Sequence, residues 1–236
     1  MITKKQTDLE NVDFASGQVI IFDKDLKASS FSVVYKVRKT VKVKKVGHAG
    51  TLDPYATGLL ILCTGKKTKE IYKYQDLPKT YIGRITLGKK TPSMDVETDV
   101  SEEKSIDGIS EDKICKVRDS FLGTIEQTPP MYSAIKHKGK SLYKYARKGE
   151  EIKREPREVS IYDFELTKIE LPDVYFKIKC SKGTYIRVIA NDFGDKLGCG
   201  GYLTELRRTE IGDIKVEDAW KIEDFKNLFE PEPVEE

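Results

Sequence analysis

Apolar and polar positions alternate along this chain in short runs, and they predict many small elements rather than a few long ones. Val19–Phe22 (VIIF) is a continuous apolar run of strand length. The spacing of Val33, Val34 and Val37 predicts a helix over Phe31–Lys39, capped by Ser29 or Ser30, whose hydroxyl can accept from an orphan first-turn amide. Leu59–Cys63 predicts a strand, Lys67–Tyr74 a short helix, and the rough alternation of Thr80–Leu87 another strand. Ser110 followed by Glu111 and Asp112 predicts a helix start, because carboxylates favour the positive end of a helix. Ile114, Val117, Phe121 and Leu122 are spaced as its apolar face, and Gly123 is placed to end it. Ile161–Ile169 and Val174–Cys180 predict two strands joined at Leu171-Pro172-Asp173, and Thr184 is placed to cap a helix reaching about Leu197. Residues 91–110 and 127–157 show no clear period and are expected to be loops.

Strands and helices mix without regular βαβ alternation. The expected class is therefore α+β, on a mixed, largely antiparallel sheet flanked by helices and loops. The 236 residues suit one main domain from about residue 17 to 229, after a flexible polar segment 1–16 and before an acidic tail 230–236 (EPEPVEE). No run approaches the ~20 apolar residues of a membrane span, and the N-terminus lacks a signal-peptide pattern. The expectation is a soluble, cytoplasmic protein. Four cysteines form no CxxC pair and only two histidines exist, so no metal centre is expected. The net charge of +3 conceals separated blocks. Residues 36–45 (KVRKTVKVKK) carry six basic side chains and no acidic one, and 136–157 interleave lysines and arginines with Tyr143 and Tyr145. Such patches suit a nucleic-acid partner.

The most unusual stretch is VGHAGTLDPYATGLLILC, residues 46–63, where one carboxylate, Asp53, sits among small residues. It is neither a P-loop nor a GxGxxG dinucleotide loop. Residue types leave two readings open. Asp53 caps a helix begun by Pro54, or it is a carboxylate nucleophile or base held by a rigid turn.

Further blocks accompany this loop. They are Lys79-Thr80-Tyr81; Leu87-Gly88 with Thr91 and Asp95; and Gln127-Thr128-Pro129-Pro130-Met131-Tyr132-Ser133-Ala134-Ile135-Lys136. Cys180-Ser181-Lys182-Gly183-Thr184-Tyr185-Ile186-Arg187 and Leu206-Arg207-Arg208-Thr209 follow. In content and order, with GHAGTLDPYATGLL, they resemble the bacterial TruB family of tRNA pseudouridine-55 synthases. The N-terminal block departs from the family's K-P-x-G-x-[TS]-S: Asp25 and Lys27 replace the proline and glycine.

The resemblance implies a pseudouridine synthase fold over 17–229, with a basic RNA-binding insert at about 127–157 and no full C-terminal RNA-binding domain. It implies isomerisation of uridine at position 55 in the T arm of tRNA, by base flipping and an aspartate nucleophile. It also implies no cofactor and no metal, tRNA as partner, and a monomer. Asp53 matches the catalytic aspartate, Tyr81 the tyrosine that stacks on the flipped base, and Arg187 the arginine that pairs with the carboxylate. Tyr185 and Leu206 match residues lining the base, His48 one that contacts the RNA loop, and Lys24 is expected to touch phosphate. Alternatives are a pseudouridine synthase for another RNA and a tRNA-folding RNA-binding protein. A glycosidase would need two paired acids, and no second acid stands out in these blocks.

Overall fold

The computed structural model describes residues 1–9 and 11–229; the predicted acidic tail lies outside them. In chain order the elements are β1 (Val19–Lys24), α1 (Ser30–Thr40), β2 (Val46–Ala49), β3 (Ala56–Thr64), α2 (Ile71–Gln75), β4 (Lys79–Leu87), β5 (Lys89–Lys90) and β6 (Glu102–Glu103). Then come α3 (Glu111–Asp119), β7 (Gly123–Gln127), β8 (Lys136–His137), β9 (Lys140–Ser141), α4 (Leu142–Ala146), β10 (Arg157–Glu170) and β11 (Asp173–Cys180). The chain closes with α5 (Ile186–Leu197), β12 (Gly201–Ile211), β13 (Ile214–Lys215) and α6 (Ile222–Asn227). This is the α+β class with a mixed, largely antiparallel sheet that the sequence predicts.

The chain forms two compact units: residues 1–81 with the described residues from Leu206 onward, and Ile82–Glu205. The boundaries fall inside β4 and β12.

In the first unit β1 pairs antiparallel with β3, from Val19 opposite Cys63 to Lys24 opposite Gly58. β3 pairs parallel with β12, placing Leu206, Arg207 and Arg208 opposite Ala56, Thr57 and Gly58. Because side chains alternate along a strand, β1 supplies both faces. Ile20 and Phe22 join Leu60, Leu62, Val33, Val34, Val37 and Phe225 in one cluster. Val19 and Ile21 join Leu59, Ile61, Cys63 and Ile211 in the other. Burial on both sides explains why β1 and β3 read as continuous apolar runs. Ser29 is the N-cap of α1, its hydroxyl accepting from the Ser32 amide. Ile2, Leu9 and Phe14 also enter the core, and Ile2 bridges Ile20. The segment 1–16, expected to be flexible, is thus anchored by three apolar side chains among its polar ones.

In the second unit the strand order is β4-β11-β10-β7. Phe121 stacks on Phe193 of α5, and Phe164 of β10 meets both Phe176 and Phe193. Three expectations change here. The helix capped by Ser110 ends at Asp119; Leu122 is exposed, and Gly123, at φ +87°, opens β7 instead of ending the helix. Thr184 does not cap α5: its hydroxyl donates back to the Ser181 carbonyl, and Tyr185 holds the cap position. The stretch 127–157 is not one loop but holds the β8–β9 hairpin and α4. Tyr143 fixes α4 by donating to Glu97 at 2.6 Å.

Candidate active site

The loop carrying Asp53 leaves β2 at Ala49 and enters β3 at Ala56. No helix follows Asp53. The chain turns at Pro54–Tyr55, the Ala56 amide donates to the Asp53 carbonyl at 3.1 Å, and β3 begins. The helix-cap reading is therefore excluded.

Both flanks of Asp53 are tied down from distant parts of the first unit. The buried Ser30 hydroxyl donates to the Leu52 carbonyl (3.0 Å) and accepts from the Leu52 amide (2.9 Å). On the other side the Lys27 amide donates to the Pro54 carbonyl at 2.8 Å, and the Lys24 ammonium approaches the same oxygen at 3.4 Å. Arg208 reaches across from β12: Nε donates to the Leu59 carbonyl (2.8 Å) and Nη2 to the Gly50 carbonyl (3.1 Å). Backbone carbonyls thus hold two buried cations, Lys24 and Arg208, beside the loop that carries the partly exposed Asp53. Arg208 fits because position 58 is glycine. With φ +105°, a Cβ there would lie 2.2 Å from the Arg208 carbonyl oxygen, so only glycine lets these strands meet.

Lys24 is 1% exposed, and its ammonium also donates to the carbonyls of Ala28 (2.7 Å) and Asp25 (3.1 Å). Burial pushes its pKa down to about 8, against the pull of Asp53 and Asp25 and with a further push from Arg208. Lys24 was expected from sequence to touch phosphate; here its ammonium is turned to backbone carbonyls. It staples the 25–28 turn to the Asp53 loop, and without proline and glycine that turn places Lys27 at φ +63°.

Of the expected site residues, the first unit carries Asp53, His48, Tyr81 and Leu206. Leu206 lies opposite Ala56, three residues from Asp53. Tyr81 is buried in β4, the strand next to β12, and the Thr209 hydroxyl donates to the neighbouring Thr80 carbonyl at 3.3 Å. His48 Nε2 lies 3.1 Å from the Thr51 hydroxyl, and Phe31 packs edge-on against its ring. Burial, then the Arg208 charge, lowers the His48 pKa, so the ring is neutral at pH 7.

The second unit carries Tyr185 and Arg187. Gln127 holds Tyr185 at both backbone groups: its Oε1 accepts from the amide at 2.7 Å and its Nε2 donates to the carbonyl at 3.1 Å. Arg187 is 3% exposed; its guanidinium lies over the Tyr185 ring, 3.4 Å from the Ser93 carbonyl and 4.0 Å from the buried Asp95 carboxylate. Arg208 and Asp95 had no role legible from sequence, and Ser30 was legible only as a candidate helix cap. Only once β12 is seen to be a strand must its neighbours Arg207 and Arg208 face opposite sides. Arg207 does so by gripping Asp23 with two bonds of 2.9 Å.

The architecture is a pseudouridine synthase fold. A family model described as TruB family pseudouridylate synthase (N terminal domain) matches residues 38–186. One described as tRNA pseudouridylate synthase B C-terminal domain matches 187–236. The chain belongs to the TruB family of pseudouridylate synthases. It is 49% identical over 214 residues to the tRNA pseudouridine synthase B of Chloroherpeton thalassium, covering 89% of each chain. It is 47% identical over 225 residues to that of Flavobacterium johnsoniae, covering 92% of this chain and 98% of the relative. Among solved structures, a chain in a Cbf5-Nop10-Gar1 complex superposes with a TM-score of 0.70 at 28% identity, over 94% of this chain and 58% of its own. A chain in an H/ACA RNP bound to a substrate RNA containing 2'-deoxyuridine gives 0.68 at 26% identity, over 94% and 57%. The present chain thus spans less than three-fifths of those two solved chains. No helix among the described residues is long and apolar enough to cross a membrane.

Proposed function

We propose that this chain isomerises uridine to pseudouridine in tRNA, at position 55 of the T arm, with Asp53 as the nucleophile. One observation carries the assignment to Asp53: the residue is partly exposed while the backbone on either side is fixed by Ser30, Lys24 and Arg208. A nucleophile gains most when its position is set before the substrate arrives. The relatives named tRNA pseudouridine synthase B support tRNA as the substrate.

In the proposed reaction the bond from ribose to the uracil nitrogen breaks, the base turns, and a carbon–carbon bond to the same ribose forms. The ring carbon loses a proton and the freed nitrogen gains one, so the sum is an isomerisation. The uridine must first leave its stack, at a cost of a few kcal/mol. Stacking on Tyr81, roughly 1–3 kcal/mol per base, and contact with Leu206 offset that cost. His48, neutral at pH 7, is suited to a hydrogen bond with the RNA loop rather than to phosphate pairing. The substrate-binding roles of Tyr185 and Arg187 rest on the family resemblance.

Incubating the purified chain with a T-arm stem-loop and mapping pseudouridine tests the reading. Product is expected at the uridine of position 55, and Asp53→Asn should abolish it while RNA binding persists. Turnover by Asp53→Asn would remove that carboxylate from the mechanism. No product on the stem-loop would move the assignment to another RNA.

A further inference from the structure

The described residues include an aromatic row that the proposed chemistry does not use. On α1, Val33, Val34 and Val37 face the core, and the opposite face carries Phe31, 69% exposed, and Tyr35, 53% exposed. These two and Lys39 are spaced four residues apart and share one side of the helix. The Lys39 ammonium lies over the Tyr35 ring at 4.8 Å. Leu26, 55% exposed, extends the patch on the preceding turn. At its other end Phe31 meets the His48 ring, and Ser30, next in the chain, grips the residue before Asp53. The row is therefore built into the same frame as the candidate catalytic loop.

Charge says what would cover it. Lys36 is taken by Glu223 at 2.7 Å. Arg38, Lys39, Lys42, Lys44 and Lys45 have no carboxylate within ion-pair distance among the described residues, and Arg38 Nε is buried without a hydrogen-bond partner. Exposed aromatics next to unneutralised cations form the combination that binds single-stranded nucleic acid, rings stacking on bases and cations following the phosphates. Four residues of helix advance about 6 Å, a step that one nucleotide of an extended strand can span.

We propose that the outer face of α1 is an RNA-contact surface, on which unpaired nucleotides of the substrate stack against Phe31 and Tyr35 while Arg38, Lys39, Lys42, Lys44 and Lys45 engage their phosphates. This rests on the RNA-substrate reading above and adds a contact beyond the reacting nucleotide.

The test is fluorescence anisotropy with a labelled T-arm stem-loop, in an Asp53→Asn background so that nothing turns over. Phe31→Ala and Tyr35→Ala should each weaken binding about 5- to 100-fold, and Phe31→Tyr and Tyr35→Phe should bind as the parent does. Because Phe31 touches His48, Tyr35→Ala is the cleaner variant. Replacing Lys42, Lys44 and Lys45 by Gln should lower the salt dependence of binding by about 2 in log–log slope. Unchanged affinity in both alanine variants overturns the proposal. So does a result in which they lose only self-association, which would assign the face to a second copy of the chain. Wild-type turnover on the same RNA is a separate reading. Product with unchanged alanine-variant affinity removes the surface and keeps the enzyme, whereas weakened binding without product does the reverse.

Discussion

Deleting one oxygen, in Ser30→Ala, tests whether the rigidity of the Asp53 loop comes from tertiary bracing. The Ser30 hydroxyl meets both backbone groups of Leu52, and both ends of this reciprocal pair are buried. Alanine leaves an amide and a carbonyl unmet in the core, each costing about 1–3 kcal/mol. Small shifts and a trapped water would recover part of that. The expected loss is about 2 kcal/mol, concentrated in the loop because β3 beyond it keeps its own ladder to β1. In hydrogen exchange this corresponds to about a 30-fold faster rate at the Leu52 amide, with Leu60 and Leu62 little changed. A loop released by even 1 Å loses about 100-fold in positioning, so single-turnover pseudouridine formation should fall by one to two orders of magnitude, roughly in step with the exchange rate. Unchanged Leu52 protection would refute the structural reasoning. Lost protection with full turnover would refute the claim that the brace serves Asp53.

Lys24 ties stability to alkaline pH. Its folded pKa of about 8 lies below the ordinary 10.5, so between those values the unfolded chain holds a proton that the folded chain does not. Stability should therefore rise with pH across that window, by up to about 3 kcal/mol, and Lys24→Met should abolish the rise; equal slopes in both proteins would contradict this. Asp23 works at the acid end. Burial alone would raise its pKa, but hydrogen bonds from Arg207 and Lys221 take it below 3.8. Its contribution is present above 3.8 and lost as pH falls through the folded value, and Asp23→Asn should flatten that part of an acid titration while costing about 1–3 kcal/mol at pH 7. Gly58→Ala drives a methyl into the Arg208 carbonyl at a left-handed backbone position. It should cost about 3 kcal/mol or more, read as a lower denaturant midpoint, and a change below 0.5 kcal/mol (roughly the noise of neutral surface substitutions) would show that the strands can separate freely.

Local signals explain which elements were legible. The Ser29 cap, the Val33, Val34 and Val37 spacing, and the apolar runs of β1 and β3 each act over a few residues, and the structure keeps them. β12 was not legible. GYLTELRRTEI carries four charged side chains, and it becomes a strand because Arg207 and Arg208 find Asp23 and the Gly50 and Leu59 carbonyls. β7 and the end of α3 were misread because Gly123 ends a helix and opens a strand equally well when judged by its neighbours alone.

The sequence by itself determined the family and singled out Asp53, since motif identity needs only residue types and their order. It also determined the local elements whose periodicity is strong. What only the tertiary structure decided is how Asp53 is held. Ser30 lies 22 residues from Leu52 and Arg208 lies 158 from Gly50, and no periodicity reaches across such gaps. A hydroxyl or guanidinium finds a buried carbonyl only once the chain has closed those loops, because burial is what makes an unmet carbonyl costly enough to select its donor.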